Sequence, residues 1–154
     1  MIKDIDITDQ KTAEAVLHVQ IPSYKVEAEI IGFYDIPPLK DTVTTLRHCE
    51  ESFFGYYIQN ELCGVISFKT ENDFIDIHRL VVHPNHFRKG IAQKLLDYIE
   101  SIEGYAGIKV ATGSKNKPAV KFYQKNGFQM VKQIMVNEHL TLSLFEKHVN
   151  NSSK

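Results

Sequence analysis

The stretch Val81-Val82-His83-Pro84-Asn85-His86-Phe87-Arg88-Lys89-Gly90-Ile91-Ala92 joins a β-rich run to a helical one. Gly90 and Ala92 permit a tight turn and close approach of another group to the backbone. The first N–H groups of a helix have no partners within it, and the helix dipole is positive there. A helix opening on such a turn is an anion site, and a pyrophosphate suits it. Arg88 and Lys89 add fixed charge and side-chain donors. A plain β-α connection with a solvated basic turn has the same composition, so the turn alone leaves both readings open. Neither GxxxxGK followed by Ser or Thr nor GxGxxG is present, which argues against a P-loop or a dinucleotide site. Upstream, Asp76 and His78 are two residues apart on one strand and so share a face. An imidazole with a pKa near ~6.5 suits base chemistry at neutral pH. Each of the two also reads as a polar residue on the exposed side of a half-buried strand. Downstream, Tyr123 is a phenol, protonated at neutral pH and able to donate. Its spacing from Phe122 equally suits a half-buried aromatic.

These residues need elements to hold them. Ile2, Ile5 and Ile7 suggest a first strand, after which Thr8 or Asp9 caps a helix with the stripe Ala13, Val16, Leu17 and Ile21. Pro22, Gly32 and Pro37-Pro38 punctuate the next segment. A short helix is expected over Tyr24–Ile31 and another over about Leu39–Cys49. Phe53–Gln59 and Leu62–Thr70 read as a hairpin turning at Asn60-Glu61. Phe74–His83 is a further strand. From Gly90 the period becomes helical, with Ile91, Leu95, Ile99 and Ile102 on one face. Ile108–Thr112 is a strand, Asn116 caps a helix with Pro118 in its first turn, and Asn126-Gly127 ends it. Phe128–Met135 and Leu140–Phe145 close the chain as strands. Hairpins followed by two βα units predict an α/β (α+β) architecture, a mixed, twisted sheet of about seven strands flanked by about four helices.

The chain has 154 residues, near the usual size of one domain. One domain over residues 1–149 is expected, with 150–154 as a polar tail. The formal net charge is −1, and the basic residues are scattered, which argues against nucleic acid as a partner. The N-terminus has no apolar signal core and no run approaches membrane-spanning length, so no membrane partner is expected. Cys49 and Cys63 have no metal-ligand spacing, and no metal is expected. Cysteine-poor chains of this size are usually cytoplasmic, with free thiols.

Leu80-Val81-Val82-His83-Pro84 with Phe87-Arg88-Lys89-Gly90-Ile91-Ala92 resembles motif A of the Gcn5-related N-acetyltransferase superfamily, Gln/Arg-x-x-Gly-x-Gly/Ala. Asn116-Lys117-Pro118-Ala119 through Phe122-Tyr123-Gln124-Lys125-Asn126-Gly127-Phe128 resembles its motif B. The resemblance implies the acyl-CoA N-acyltransferase fold and acetyl-CoA as cosubstrate. It implies that Arg79–Val82 splays from Ile108–Thr112, with the pantetheine arm in the gap and paired to backbone at Leu80 and Val82. A backbone N–H at or near Leu80 would polarise the thioester carbonyl. Val81, Phe87, Arg88, Lys89, Gly90, Ile91, Ala92 and Gln93 are carried over as cofactor-binding, with Asn116, Ala119, Phe122 and Tyr123. Phe87 departs from the Gln/Arg of the motif, which shifts weight onto backbone amides. Tyr123 matches the family's catalytic tyrosine, a general acid to the departing thiolate. Asp76 stands where the prototype histone acetyltransferases carry a glutamate. Asp76 or His78 would then be the base, directly or through a water, although many members have no dedicated base.

The implied function is transfer of acetyl to a primary amine, on a small molecule or a peptide, by direct attack in a ternary complex. The alternative is a catalytically silent CoA-binding sensor or interaction module. The acceptor side is expected in the N-terminal third, where Glu27, Glu29 and Asp35 are candidates to hold a cationic substrate. A homodimer is compatible with the resemblance.

Overall fold

The structure, a computed structural model, describes residues 1–149; the expected polar tail lies outside the described residues. β1 (Ile2–Ile5) lies beside β2 (Ser52–Ile58), which turns into β3 (Glu61–Glu71) and then β4 (Phe74–Val82). Gln59 and Asn60 hold φ of 50° and 69° between β2 and β3. Two successive left-handed residues make the tight turn whose twist matches a hairpin, one position earlier than the expected Asn60-Glu61. Asn72 and Asp73 repeat the device between β3 and β4, with φ of 52° and 67°. β5 (Gly107–Gly113), β6 (Gln129–Asn137) and β7 (Leu140–His148) complete a seven-stranded sheet in the order β1-β2-β3-β4-β5-β7-β6. Every neighbouring pair is antiparallel except β4 and β5.

α1 runs unbroken over Gln10–Ile31, where two helices separated at Pro22 were expected. Asp9 caps it by accepting from the Thr12 N–H at 3.0 Å, and Gly32 ends it at φ 80°. A proline inside a helix removes one hydrogen bond and costs roughly 3 kcal/mol. Val16, Val19, Gln20, Tyr24, Ala28 and Ile31 nonetheless stay buried in one stripe across that point. Burying such a stripe offsets the break at about 1.5–3 kcal/mol for each large apolar side chain. The second expected helix, about 39–49, is shorter. A 3-10 turn over Pro37–Lys40 is followed by α2 (Val43–Arg47), separated by Asp41 and by Thr42, which caps α2.

α4 (Lys117–Lys125) follows its expected bounds closely, whereas α3 (Ile91–Glu100) ends at its Ser101 C-cap, short of the expected Ile102. Adjacent strand residues feed opposite faces of the sheet. Cys63, Ile66 and Val82 join Leu95, Leu96 and Ile99 of α3 in one core, while Val65 and Val81 join Val16, Val19 and Leu46 of α1 and α2 in the other. Gly64 of β3 lets α3 come close, since a Cβ there would lie 2.7 Å from Ile91 Cγ2. Among the described residues, no helix is long and apolar enough to cross a membrane.

Leu95 is fully buried between α3 and the sheet. Leu95→Ala should cost about 2–5 kcal/mol, through lost burial and the cavity left behind. Urea unfolding checks this; a loss below about 1 kcal/mol would mean that the α3 core is not packed as described.

Candidate active site

β4 and β5 pair over only four positions, Phe74–Ile77 with Gly107–Val110. Beyond Ile77 the two strands part. The parting coincides with a bulge, because Ser67 pairs with Arg79 and Phe68 with Ile77, which leaves His78 as an extra residue in β4. Bulges bend a strand and increase its twist, so β4 swings away from β5 at that point. The backbone beyond the bulge is aimed by hydrogen-bond parity. The His83 N–H donates to the Cys63 carbonyl on β3, and Val81 opposes Val65 in the same register. Antiparallel pairs alternate between bonded and non-bonded, so Leu80 and Val82 turn their N–H and C=O groups to the open side.

The opening is the neck of a cleft of about 240 Å³. Leu80 and Arg79 of β4 form one wall, and Ala111, Thr112 and Gly113 of β5 the other. Tyr24 and Glu27 of α1 enter from one face of the sheet, while Ala119 and Tyr123 of α4 reach it from the other. The gap therefore lets groups from both faces meet. Burial raises the phenol pKa of Tyr123, and the nearby Glu27 carboxylate raises it further, so Tyr123 stays protonated. Tyr24 is raised by the same two effects. Burial pushes the Glu27 carboxyl up to about 7, while a hydrogen bond from the Asn116 side chain opposes that rise. Asn116 also caps α4 by accepting from the Ala119 N–H at 3.4 Å, so one buried side chain serves both helix and carboxyl.

Beside the neck lies an ion-pair network. Arg79 bonds Glu51 through Nη1 and Asp41 through Nη2, the latter at 3.1 Å. The Ser67 hydroxyl donates to Glu51 at 2.7 Å. His78 lies 3.1 Å from Glu51 through Nδ1 and 3.5 Å from Asp76 through Nε2. Hydrogen bonds to Asp76 and then Glu51 outweigh burial and lift the His78 pKa to about 9. Burial raises Glu51, but the bonds from His78 and Ser67 and the Arg79 charge outweigh it and hold the carboxyl below its ordinary range. The bulged residue is thus an imidazolium fastened between two carboxylates.

The turn after β4 leads directly into α3. Pro84–His86 forms a 3-10 turn, Arg88 takes φ 67°, and Gly90 takes φ 75° at the helix N-cap. Among the described residues no side chain caps α3, so its first N–H groups stay available for an anion. Phe87 is 43% exposed on this turn, and Lys89 Nζ lies 3.0 Å from His86 Nδ1. Ile91 is buried under the turn, and Ala92 is half-buried beside it.

The residues expected to bind or react do not all converge. Leu80, Ala119, Tyr123 and His78 line the cleft, whereas Asp76 lines a separate depression beside Lys109 and Val131. Val81 and Val82 are buried in opposite cores. Gln93 is engaged on the protein itself, donating to Asn126 at 2.7 Å and to Asp97 at 2.9 Å, and so ties α3 to the end of α4. Phe122 packs against Tyr123 with ring centroids 5.3 Å apart. Of the acceptor-side carboxylates, Glu27 lines the cleft, while Asp35 pairs with Lys40 near the surface at 2.8 Å. Asp41, Glu51 and Arg79 were not picked out by sequence; their partners lie 28 and 38 residues from Arg79 along the chain. Nor was the group Glu61, Cys63 and His86, whose potential ligand atoms lie within 4.8 Å of one another although no ligand spacing marks them. Both cysteines are free thiols.

Residues 49–130, slightly more than half the chain, match the family model described as an acetyltransferase (GNAT) domain. The chain is 40% identical over 146 residues to the UPF0157 protein YqkA of Bacillus subtilis, covering 94% of this chain and 43% of that protein. It is 32% identical over 99 residues to a streptothricin acetyltransferase of Escherichia coli, covering 61% of this chain and 57% of that one. The chain thus spans about half the length of these curated relatives. In fold it is similar to the PaiA N-acetyltransferase of Thermoplasma acidophilum, solved in complex with coenzyme A. That likeness has a TM-score of 0.76 at 20% identity and covers 97% of this chain and 99% of the other.

The His78 network has a pH signature. Its folded pKa, about 9, exceeds the ordinary value of 6.5. Its stabilisation is therefore complete below about 6.5 and lost as pH rises through about 9. His78→Gln should lower the melting temperature more at about pH 6 than at about pH 10. Thermal unfolding at both pH values checks this, and equal losses would contradict it.

Proposed function

From the premise that this chain belongs to the GNAT acetyltransferase family, we propose that it transfers the acetyl group of acetyl-CoA to a primary amine by direct attack in a ternary complex. The observation that carries this reading is the β4–β5 opening, with the backbone of Leu80 and Val82 turned into it and Tyr123 at its edge.

In this reading the pantetheine arm lies in the opening as a surrogate strand. It bonds the outward groups of Leu80 and Val82, and the pyrophosphate rests on the uncapped N-terminus of α3, among Phe87, Arg88, Lys89 and Gly90. Backbone amides carry that contact, so the exposed Phe87 in place of Gln or Arg is tolerated. The Leu80 N–H faces the thioester oxygen and stabilises the charge that develops there. The amine nitrogen attacks the thioester carbon, and the carbonyl pair moves to oxygen. When the carbonyl re-forms, the C–S bond breaks and the electron pair leaves on sulfur. Tyr123, protonated at rest, hydrogen-bonds that sulfur, passes its proton to it and regains one as the intermediate's ammonium releases its own.

The test is release of CoA thiol across a panel of primary amines, together with thermal unfolding with and without acetyl-CoA. A ligand at about a hundred times its Kd adds roughly 2.7 kcal/mol of stability, a clear shift. Tyr123→Phe should lower kcat about 10²-fold while acetyl-CoA binding is retained. Unchanged kcat would remove the acid role. Binding without turnover of any amine would instead identify a CoA-binding module, and absence of binding would end both readings.

A further inference from the structure

We propose, resting on the acetyl-transfer reading, that Glu27 is the general base, taking the ammonium proton of the acceptor in the place expected for Asp76 or His78.

The geometry separates the three carboxylate and imidazole positions. Asp76 lies outside the cleft, in the depression beside Lys109. His78 lines the cleft, but both of its ring nitrogens are engaged by carboxylates, Glu51 at 3.1 Å and Asp76 at 3.5 Å. An imidazolium so fastened has no lone pair to offer. Glu27 projects from the C-terminal third of α1 into the same cleft as Leu80 and Tyr123. It approaches from the face of the sheet opposite to α4.

That placement suits the reaction. The thioester lies in the neck between the two faces, with its sulfur toward Tyr123. An attacking nitrogen then arrives from the α1 side, where Glu27 stands. The groups around Glu27 are Tyr24 on its own helix, Asn116 and Tyr123 on the α4 side, and His78 and Arg79 on β4. Both tyrosines are held neutral, and His78 and Arg79 are committed to Glu51, Asp76 and Asp41. A carboxyl among these partners is poised between its two states at neutral pH, because burial opposes its charge and only Asn116 supports it. That matches the requirement for efficient proton abstraction.

The protons balance. The Glu27 carboxylate takes one proton from R–NH3+, leaving a lone pair on nitrogen. That pair forms the C–N bond. After collapse, one of the two protons left on the acylated nitrogen replaces the one Tyr123 passes to sulfur, and the other stays as the amide N–H. The Glu27 proton leaves to solvent, so amide, CoA thiol and one proton are the products.

The experiment is the pH dependence of kcat/KM with two accepted amines of different basicity, for wild type, Glu27→Gln, Glu27→Asp and His78→Gln. Wild type is expected to show a limb near pH 7 that does not move with the basicity of the amine. Glu27→Gln should lower kcat about 10²-fold and abolish that limb, with the Kd for acetyl-CoA unchanged. Glu27→Asp should retain part of the rate, and His78→Gln should retain the limb. The proposal is overturned by a Glu27→Gln enzyme whose kcat stays within about 3-fold of wild type, or by one that loses only KM for the amine, the mark of a cation-holding role. Persistence of the limb in Glu27→Gln, or its loss in His78→Gln, overturns it equally. Failure of the underlying reading looks different, since wild type itself would then turn over no amine, and both would fall together.

Discussion

Parallel strands β4 and β5 stop pairing after Ile77 and Val110, and the rest of the structure is arranged around that interruption. Backbone groups buried away from water must find partners, so a gap in a sheet is costly unless something occupies it. Here the groups on the open side belong to Leu80, which lines the cleft, and to Val82 two residues on. An extended ligand carrying amide groups answers that requirement in the way a neighbouring strand would. The gap also connects the two faces of the sheet, so groups from α1 and α4 can act on one bound molecule.

Keeping the gap open needs a fastening, and the bulge at His78 supplies it. His78 is pinned by Glu51 and Asp76, while Arg79 is pinned by Glu51 and Asp41. Glu51 thus grips two consecutive residues of β4 from the edge of β2. Removing one partner of so buried a network would leave an uncompensated charge, which is why such contacts constrain geometry more than they add net stability. The network also consumes the groups that strand position alone would nominate for catalysis. The free carboxyl of the cleft is left on α1.

Local signals were legible. Asp9 and Asn116 cap the helices their positions predict, and the stripe of Ile91, Leu95 and Ile99 forms the buried face of α3. Gly90 takes the left-handed conformation that the turn requires. Three features were not legible, each for a physical reason. Pro22 reads as a helix end because the local rule is strong, yet tertiary burial of Tyr24, Ala28 and Ile31 carries α1 through it. Asp76 and His78 do share a face, 3.5 Å apart, but the bulge at His78 that turns β4 away from β5 left no mark in the strand's alternation. Glu27 reads as an ordinary helix charge because its partners, Asn116 and Tyr123, are about ninety residues away in the chain and meet it only through the opening.

The β4–β5 gap is where we propose that the thioester binds. A crystal structure of the acetyl-CoA complex tests it most directly. Pantetheine is expected hydrogen-bonded to the backbone of Leu80 and Val82, with the thioester oxygen on the Leu80 N–H and the sulfur within reach of the Tyr123 hydroxyl. Acetyl-CoA bound away from this gap, or β4 closed onto β5 along its full length, would contradict it.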